Sequence, residues 1–223
     1  MKRTKLALRV LPCYSRGEEI MNTVTHIIGG ALSCIMLAMC VMKPIIYAHP
    51  ADLLGAAIYG ISLLCVYAIS SIYHGLHAGT AKKVMQVLDH CMIYLLIAGT
   101  YTPIILSAFI PVYPVTGIIM LFIEWGLGIT AAVLTAIDLK RYKIFSMVCY
   151  IFMGWCMILF LPQALHALGR HCFMLILYGG ITYTVGAVLF GLGTRIKWMH
   201  PVFHIFVILG SILQFIGIIL YVL

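Results

Sequence analysis

Apolar residues run through this chain in long blocks, and polar residues collect in the short gaps between them. Seven blocks reach or approach the roughly 20 residues that a helix needs to cross a bilayer. They lie near 24–42, 52–75, 86–108, 115–136, 144–161, 172–191 and 201–222, with the fifth at the lower limit for a span. No ten-residue alternation of apolar and polar positions suggests a membrane barrel, so each block is predicted to be helical. The expected fold class is an all-α integral membrane protein, a seven-transmembrane helix bundle. Residues 1–23 form an N-terminal segment and 24–223 one membrane domain, with connections too short to hold a soluble domain.

Composition agrees with that pattern. Hydrophobic residues make up 64% of 223 positions and charged residues only 9%, against roughly 25% charged in a soluble domain. The 14 Lys and Arg residues are distributed unevenly. Lys2, Arg3, Lys5, Arg9 and Arg16 precede the first block; Lys82 and Lys83, then Lys140, Arg141 and Lys143, then Arg195 and Lys197 occupy the second, fourth and sixth connections. Only Lys43 and Arg170 fall on the other side. The positive-inside rule therefore predicts a cytoplasmic N-terminus and an extracytoplasmic C-terminus, in a multi-pass protein of the plasma membrane. The net charge of +8 is scattered over these connections without a basic stripe interleaved with aromatics, so a nucleic-acid partner is not expected. Eight cysteines include no CxxC pair, and reduced thiols are expected. The basic N-terminus has a short apolar part broken by Arg9, unlike a cleaved signal peptide.

Against this background "SIYHGLHAGTAKKVMQVLDH", from Ser71 to His90, is dense in metal-competent side chains. On the predicted topology His74 lies in the last turns of the second helix, with Ser70 one turn before it. Asp89 and His90 lie in the first turns of the third. His26 begins the first helix, just after Glu19 and Asn22, and His200 and His204 begin the seventh. Four distant segments thus deliver His and Asp to one depth on the cytoplasmic side. Imidazole is the commonest metal ligand, and ionisable groups inside membranes usually face the bundle interior. Ser70 and His74, and likewise His200 and His204, are four apart and share a helix face. Pro201 disfavours helical geometry at His200, which places His200 at the helix cap.

Other polar residues have plainer readings. His77 and His90 fit solvated interfacial side chains; His49, His166 and His171 fall in outer connections. Glu124, beside Trp125 in the fourth block, is expected to be protonated, hydrogen-bonded or lining a cavity. "GTYTP", from Gly99 to Pro103, is expected to shape packing or a kink.

Three motifs occur in order: E-x2-N-x3-H in "EEIMNTVTHIIGG", S-x3-H with a following Asp in "SSIYHGLH…LDH", and H-x3-H in "HPVFH". On these the chain resembles the hemolysin III family and is similar, more distantly, to the progestin and adiponectin receptors and the alkaline ceramidases. The resemblance implies a seven-helix bundle with zinc held near the cytoplasmic side by His74, His200 and His204. It implies that Asp89 holds or activates the water at the zinc, that Ser70 hydrogen-bonds near the site, and that Glu19, Asn22 and His26 form a supporting shell.

Two functions follow. One is a zinc-dependent hydrolase acting on a membrane lipid amide or ester, with Asp89 accepting a proton and Ser70 stabilising an oxyanion. The other is non-enzymatic: a pore-forming, hemolytic or lipid-homeostasis protein with a structural zinc. A membrane lipid is the expected substrate or ligand in either case, and the oligomeric state is left open.

Overall fold

The computed structural model describes Leu6 and residues 9–193 and 195–223. Lys2, Arg3 and Lys5, used above in the charge asymmetry, lie outside the described residues. The described chain is helical, with no strand. Its α-helices are α1 (Arg16–Ile46), α2 (Leu53–Gly75), α3 (Thr80–Pro103), α4 (Pro114–Ile137), α5 (Lys143–Trp155), α6 (Leu161–Leu192) and α7 (Met199–Tyr221).

Six stretches are long and apolar enough to cross a membrane, and the fifth is a single run of 50 residues from Lys143 to Leu192. That run does not go one way. The indole Nε1 of Trp155 donates to Thr184 Oγ1 at 3.0 Å, whereas a continuous helix would separate residues so far apart in sequence by about 43 Å. The chain therefore reverses between them, and the break falls midway at Gly169, whose φ of 70° and ψ of 163° only glycine adopts freely. A 3-10 stretch, Cys156–Phe160, joins α5 to the start of α6.

Several boundaries differ from the hydropathy reading. The first helix starts at Arg16, well before the apolar block, because Ser15 and Glu18 form a capping box. The third starts at Thr80, which puts Lys82 inside the helix and Asp89 and His90 in its third turn, not its first. The seventh starts at Met199 after Trp198, a non-glycine residue in the left-handed region (φ 69°). His200 is thus in the first helical turn, not at the cap. Pro50 and Pro114 open helical segments where their missing N–H is harmless. At Pro103 α3 passes into a π-helical segment, Ile104–Phe109, so "GTYTP" does sit at an irregularity.

Large apolar side chains point outward all round the bundle, among them Phe122, Ile144 and Leu54, as lipid-facing helices require. The core is held by apolar side chains and a few close helix contacts. An added Cβ at Gly55 would lie 2.8 Å from the Cα of Pro103, so only glycine lets α2 approach α3 there. All eight cysteines are free.

Candidate metal centre

Three helix ends and the N-terminal segment meet at one end of the bundle. Asparagine and glutamate in the first turns of α1 face His74 near the end of α2. The Nδ1 of His74 lies 2.7 Å from Glu19 Oε2 and 3.3 Å from Asn22 Nδ2. The carboxylate can only accept, so Nδ1 carries the proton and Nε2 keeps its lone pair. The second oxygen of Glu19 accepts from Lys82 Nζ at 2.6 Å. That ammonium also donates to the backbone carbonyls of His74 and Leu76, at 3.3 and 2.9 Å. Lys82 is therefore not a solvated loop charge: it is buried and ties the α2–α3 turn to α1.

His204 is oriented by the same logic. Its Nδ1 donates to the Asn22 carbonyl at 3.2 Å, beside the Thr25 hydroxyl at the same distance. Its Nε2 then faces His200 Nε2 at 3.1 Å, and His200 Nε2 in turn lies 3.3 Å from His74 Nε2. All three rings are buried, and one ligand atom from each lies within 4.8 Å of the others. Among the described residues this is the one group of three or more His, Cys, Asp or Glu able to share a metal ion.

Tyr14 closes the outer side. Its ring centroid is 4.9 Å from that of His200 and 5.7 Å from that of His74. Burial, then the carboxylates of Glu19, Asp89 and Glu18, push its hydroxyl well above the ordinary range, so it stays a neutral phenol. Arg9 donates to the carbonyls of Ala136 and Ile137 at the end of α4, which lays the intervening segment over this end of the bundle.

Inward from the histidines lies a cavity of about 610 Å³. His26, Ser70, Asp89, His90, His200 and His204 all line it, and most of the remaining wall is apolar, including Val66, Ile97, Ile158, Phe173 and Val207. Of the site residues expected from sequence, Asp89 and Ser70 thus share the cavity with His200 and His204. His74, although one of the three converging histidines, is not among the cavity-lining residues, and neither are Glu19 and Asn22. His26 bonds to nothing; it stacks on His204 with ring centroids 3.6 Å apart. Asp89 is not among the three converging groups, and its carboxylate lies 3.9 Å from His90 Nδ1. Sequence reasoning missed Thr25, Lys82, Tyr14 and Glu18. A lysine two residues into a helix facing an i, i+3 Glu/Asn pair gives no local signal, because its partner lies 63 positions away. Glu124 is fully buried midway along α4, away from this end.

Fold and site together define a multi-pass helical membrane protein with a buried, pre-oriented histidine cluster above an apolar cavity. Residues 14–215 match the model of the family described as Haemolysin-III related. The chain is 36% identical over 206 residues to Hemolysin-3 of Bacillus cereus, covering 92% of each. It is 34% identical over 204 residues to the Hemolysin-3 homolog of Bacillus subtilis (strain 168), covering 92% of this chain and 94% of the relative. A more distant likeness, 23% over 218 residues, relates it to human Monocyte to macrophage differentiation factor, covering 92% of this chain and 84% of the relative. The chain belongs to the haemolysin-III-related family.

Proposed function

We propose that this protein is a zinc-dependent hydrolase of a membrane lipid amide or ester, with zinc held by His74, His200 and His204. The observation that carries the reading is the convergence of three Nε2 atoms, at 3.1 and 3.3 Å from neighbour to neighbour, with the Nδ1 of His74 and the Nδ1 of His204 both committed elsewhere. The lone pairs of His74 and His204 are thereby turned toward His200 Nε2, and three imidazole nitrogens this close together are the donor set a metal cation accepts. Two nitrogen ligands at tetrahedral angles on zinc sit about 3.3–3.4 Å apart, so the donor set fits that ion. The hydrogen bonds of Glu19 to His74 and of the Asn22 carbonyl to His204 are the outer-shell contacts that fix ring orientation in such sites.

When bound, zinc supplies Lewis acidity at the head of the cavity. The remaining work belongs to side chains. The apolar wall binds a hydrocarbon chain and excludes water from it. Asp89, on the cavity wall, accepts the proton of the attacking water, and Ser70 donates its hydroxyl to the oxygen that gains charge. The proposed placement is seven crossings of the plasma membrane, with the run from Lys143 to Leu192 counted as two because it reverses near Gly169. The N-terminus and the histidine end then face the cytoplasm. Supporting this, Arg9, Lys82 and Trp198 all bond at that end, whereas Lys43 bonds the Ile219 carbonyl near the end of α7.

A second reading, direct action on membranes with zinc as a staple, draws on the printed names of the two bacterial relatives. The apolar cavity that begins at the histidines favours the hydrolase. Metal analysis of the full-length protein tests the site: about one zinc per chain is expected, lost in His74→Ala or His204→Ala and kept in His49→Ala and His166→Ala. Full metal in all four variants would show that the ligands lie elsewhere.

A further inference from the structure

Deep in the cavity, well away from the histidines, a polar side chain stands in an otherwise apolar stretch of α7. Gln214 follows His204 by ten residues and shares a helix face with His200, Phe203 and Val207, all of which line the cavity with it. Ten residues of helix place it about 15 Å along the axis from His204. The side chain crosses α6 at Gly179, where an added Cβ would lie 2.4 Å from Gln214 Cγ, so the missing side chain there makes its seat. Its Nε2 donates to the Ile176 carbonyl at 3.5 Å, the long limit of a hydrogen bond. No other hydrogen bond to this side chain forms among the described residues.

Neighbouring hydroxyls are paired within the protein. One turn before Gln214, Ser211 Oγ lies 2.6 Å from the Tyr67 hydroxyl and 2.7 Å from that of Tyr183. Thr100, on the α3 side of the cavity, donates to the Leu96 carbonyl at 2.7 Å. Gln214 is the exception. An amide has two N–H donors and a carbonyl acceptor, and here one N–H is weakly used while the other and Oε1 are not. A glutamine that served only to tie two membrane helices would make a short bond across them. This one stands on a cavity wall, where a bound molecule can complete it.

We propose that Gln214 is a second polar subsite of the cavity, selecting acyl chains that carry a hydroxyl group near their middle. The placement of the chain rests on the hydrolase reading, which sets the acyl head at the histidines and runs the hydrocarbon down the apolar wall. From a head at that level, an extended chain brings roughly its twelfth carbon about 15 Å down, to the depth of Gln214. A methylene there pairs neither the second N–H nor Oε1. A keto group pairs the N–H alone. A hydroxyl gives Oε1 the donor it lacks, and its own oxygen can accept the N–H, so one small group serves both. Sites built to hydrogen-bond a hydroxyl discriminate against the analogue that lacks it, because their buried polar groups are then left unpaired.

The test measures equilibrium binding of three free acids, which a hydrolase cannot cleave, to the full-length protein in detergent micelles. They are octadecanoic acid, 12-hydroxyoctadecanoic acid and its isomer 7-hydroxyoctadecanoic acid, whose hydroxyl falls short of Gln214. The wild type is expected to bind the 12-hydroxy acid at least about tenfold more tightly than the 7-hydroxy isomer, the worth of roughly one buried hydrogen bond. Gln214→Met keeps the length of the side chain over Gly179 and is expected to erase that preference while octadecanoic acid binds as before. Gln214→Asn keeps the amide but withdraws it by one methylene; it is expected to lose most of the preference and covers a folding defect in the Met variant. Equal binding of the two isomers by the wild type, or a preference surviving in both variants, would overturn the proposal. Fatty-acid release from amides and esters is followed in parallel. Octadecanoic acid bound and lipid hydrolysed with no preference between isomers removes this subsite alone, whereas a Gln214-dependent preference without hydrolysis upholds it and removes the hydrolase reading alone.

Discussion

Glu19 divides its two carboxylate oxygens between His74, at 2.7 Å, and Lys82, at 2.6 Å, and this division fixes which nitrogen of His74 is free to bind a metal. Residues of this kind hold the site, whereas Asp89 faces the cavity and is not part of the converging set. The two roles predict opposite behaviour. Asp89→Asn keeps shape and one hydrogen-bonding oxygen but removes the base, so zinc content and thermal stability should stay at wild-type levels. Lipid hydrolysis should fall by about 10²–10⁴-fold, the usual contribution of a positioned general base. Fatty acid released from candidate amides and esters in detergent measures the rate, and elemental analysis the metal. Loss of metal and stability together, from a parent that hydrolyses no lipid tested, would instead make Asp89 part of a structural site and favour the membrane-acting reading.

Helix α7 has no side-chain cap of its own, yet it carries two of the three histidines. Its cap comes from another helix. Glu18, in the first turn of α1, accepts the Trp198 N–H at 2.8 Å through Oε1, while Oε2 accepts the backbone N–H and hydroxyl of Ser15. One carboxylate thus starts α1 and receives the left-handed residue that sets the start of α7. Its charge also suits the positive end of that helix. Glu18→Ala should leave the Trp198 N–H without its acceptor and loosen the first turn, where His200 sits. A stability loss of about 1 kcal/mol is expected, with a 10- to 100-fold loss of zinc affinity of the kind outer-shell changes produce. Chelator competition reads the affinity. Ser15→Ala is the control: it removes part of the α1 cap but keeps the Trp198 contact, so its zinc affinity should stay close to wild type. Equal affinity in wild type and Glu18→Ala would show that the α7 cap does not support the site.

At the scale of the whole molecule, the two ends of the bundle differ in charge and in chemistry. Arg9, Lys82 and the Glu18–Trp198 tie lie at the histidine end. At the other end Lys43 reaches the last turn of α7, and Tyr113 packs on His166. An odd number of crossings would place the two termini on opposite sides. A reporter fused after Leu223 is therefore expected to read as extracytoplasmic and one inserted between Lys140 and Lys143 as cytoplasmic. Both readings on the same side would mean that the chain between Lys143 and Leu192 crosses once, in spite of its reversal.

Hydropathy along the chain was enough to reveal a multi-pass helical protein, because a bilayer leaves the backbone no alternative to helices once the side chains are this apolar. The spacing of Ser70 to His74 and His200 to His204, with Asp89 between them in sequence, made the candidate residues visible, since a shared helix face is a local property. Helix starts were less legible: Ser15 and Glu18 begin α1 among polar residues that hydropathy assigns to a terminal segment. Which nitrogen of His74 and of His204 points inward, that Lys82 is buried against Glu19, and that His26 and Ser70 are both buried on the cavity wall were decided by tertiary structure alone. Each of those facts depends on the register and rotation of one helix against another. Register is set by close packing such as Gly29 against Tyr67, between residues that no periodicity within either helix connects.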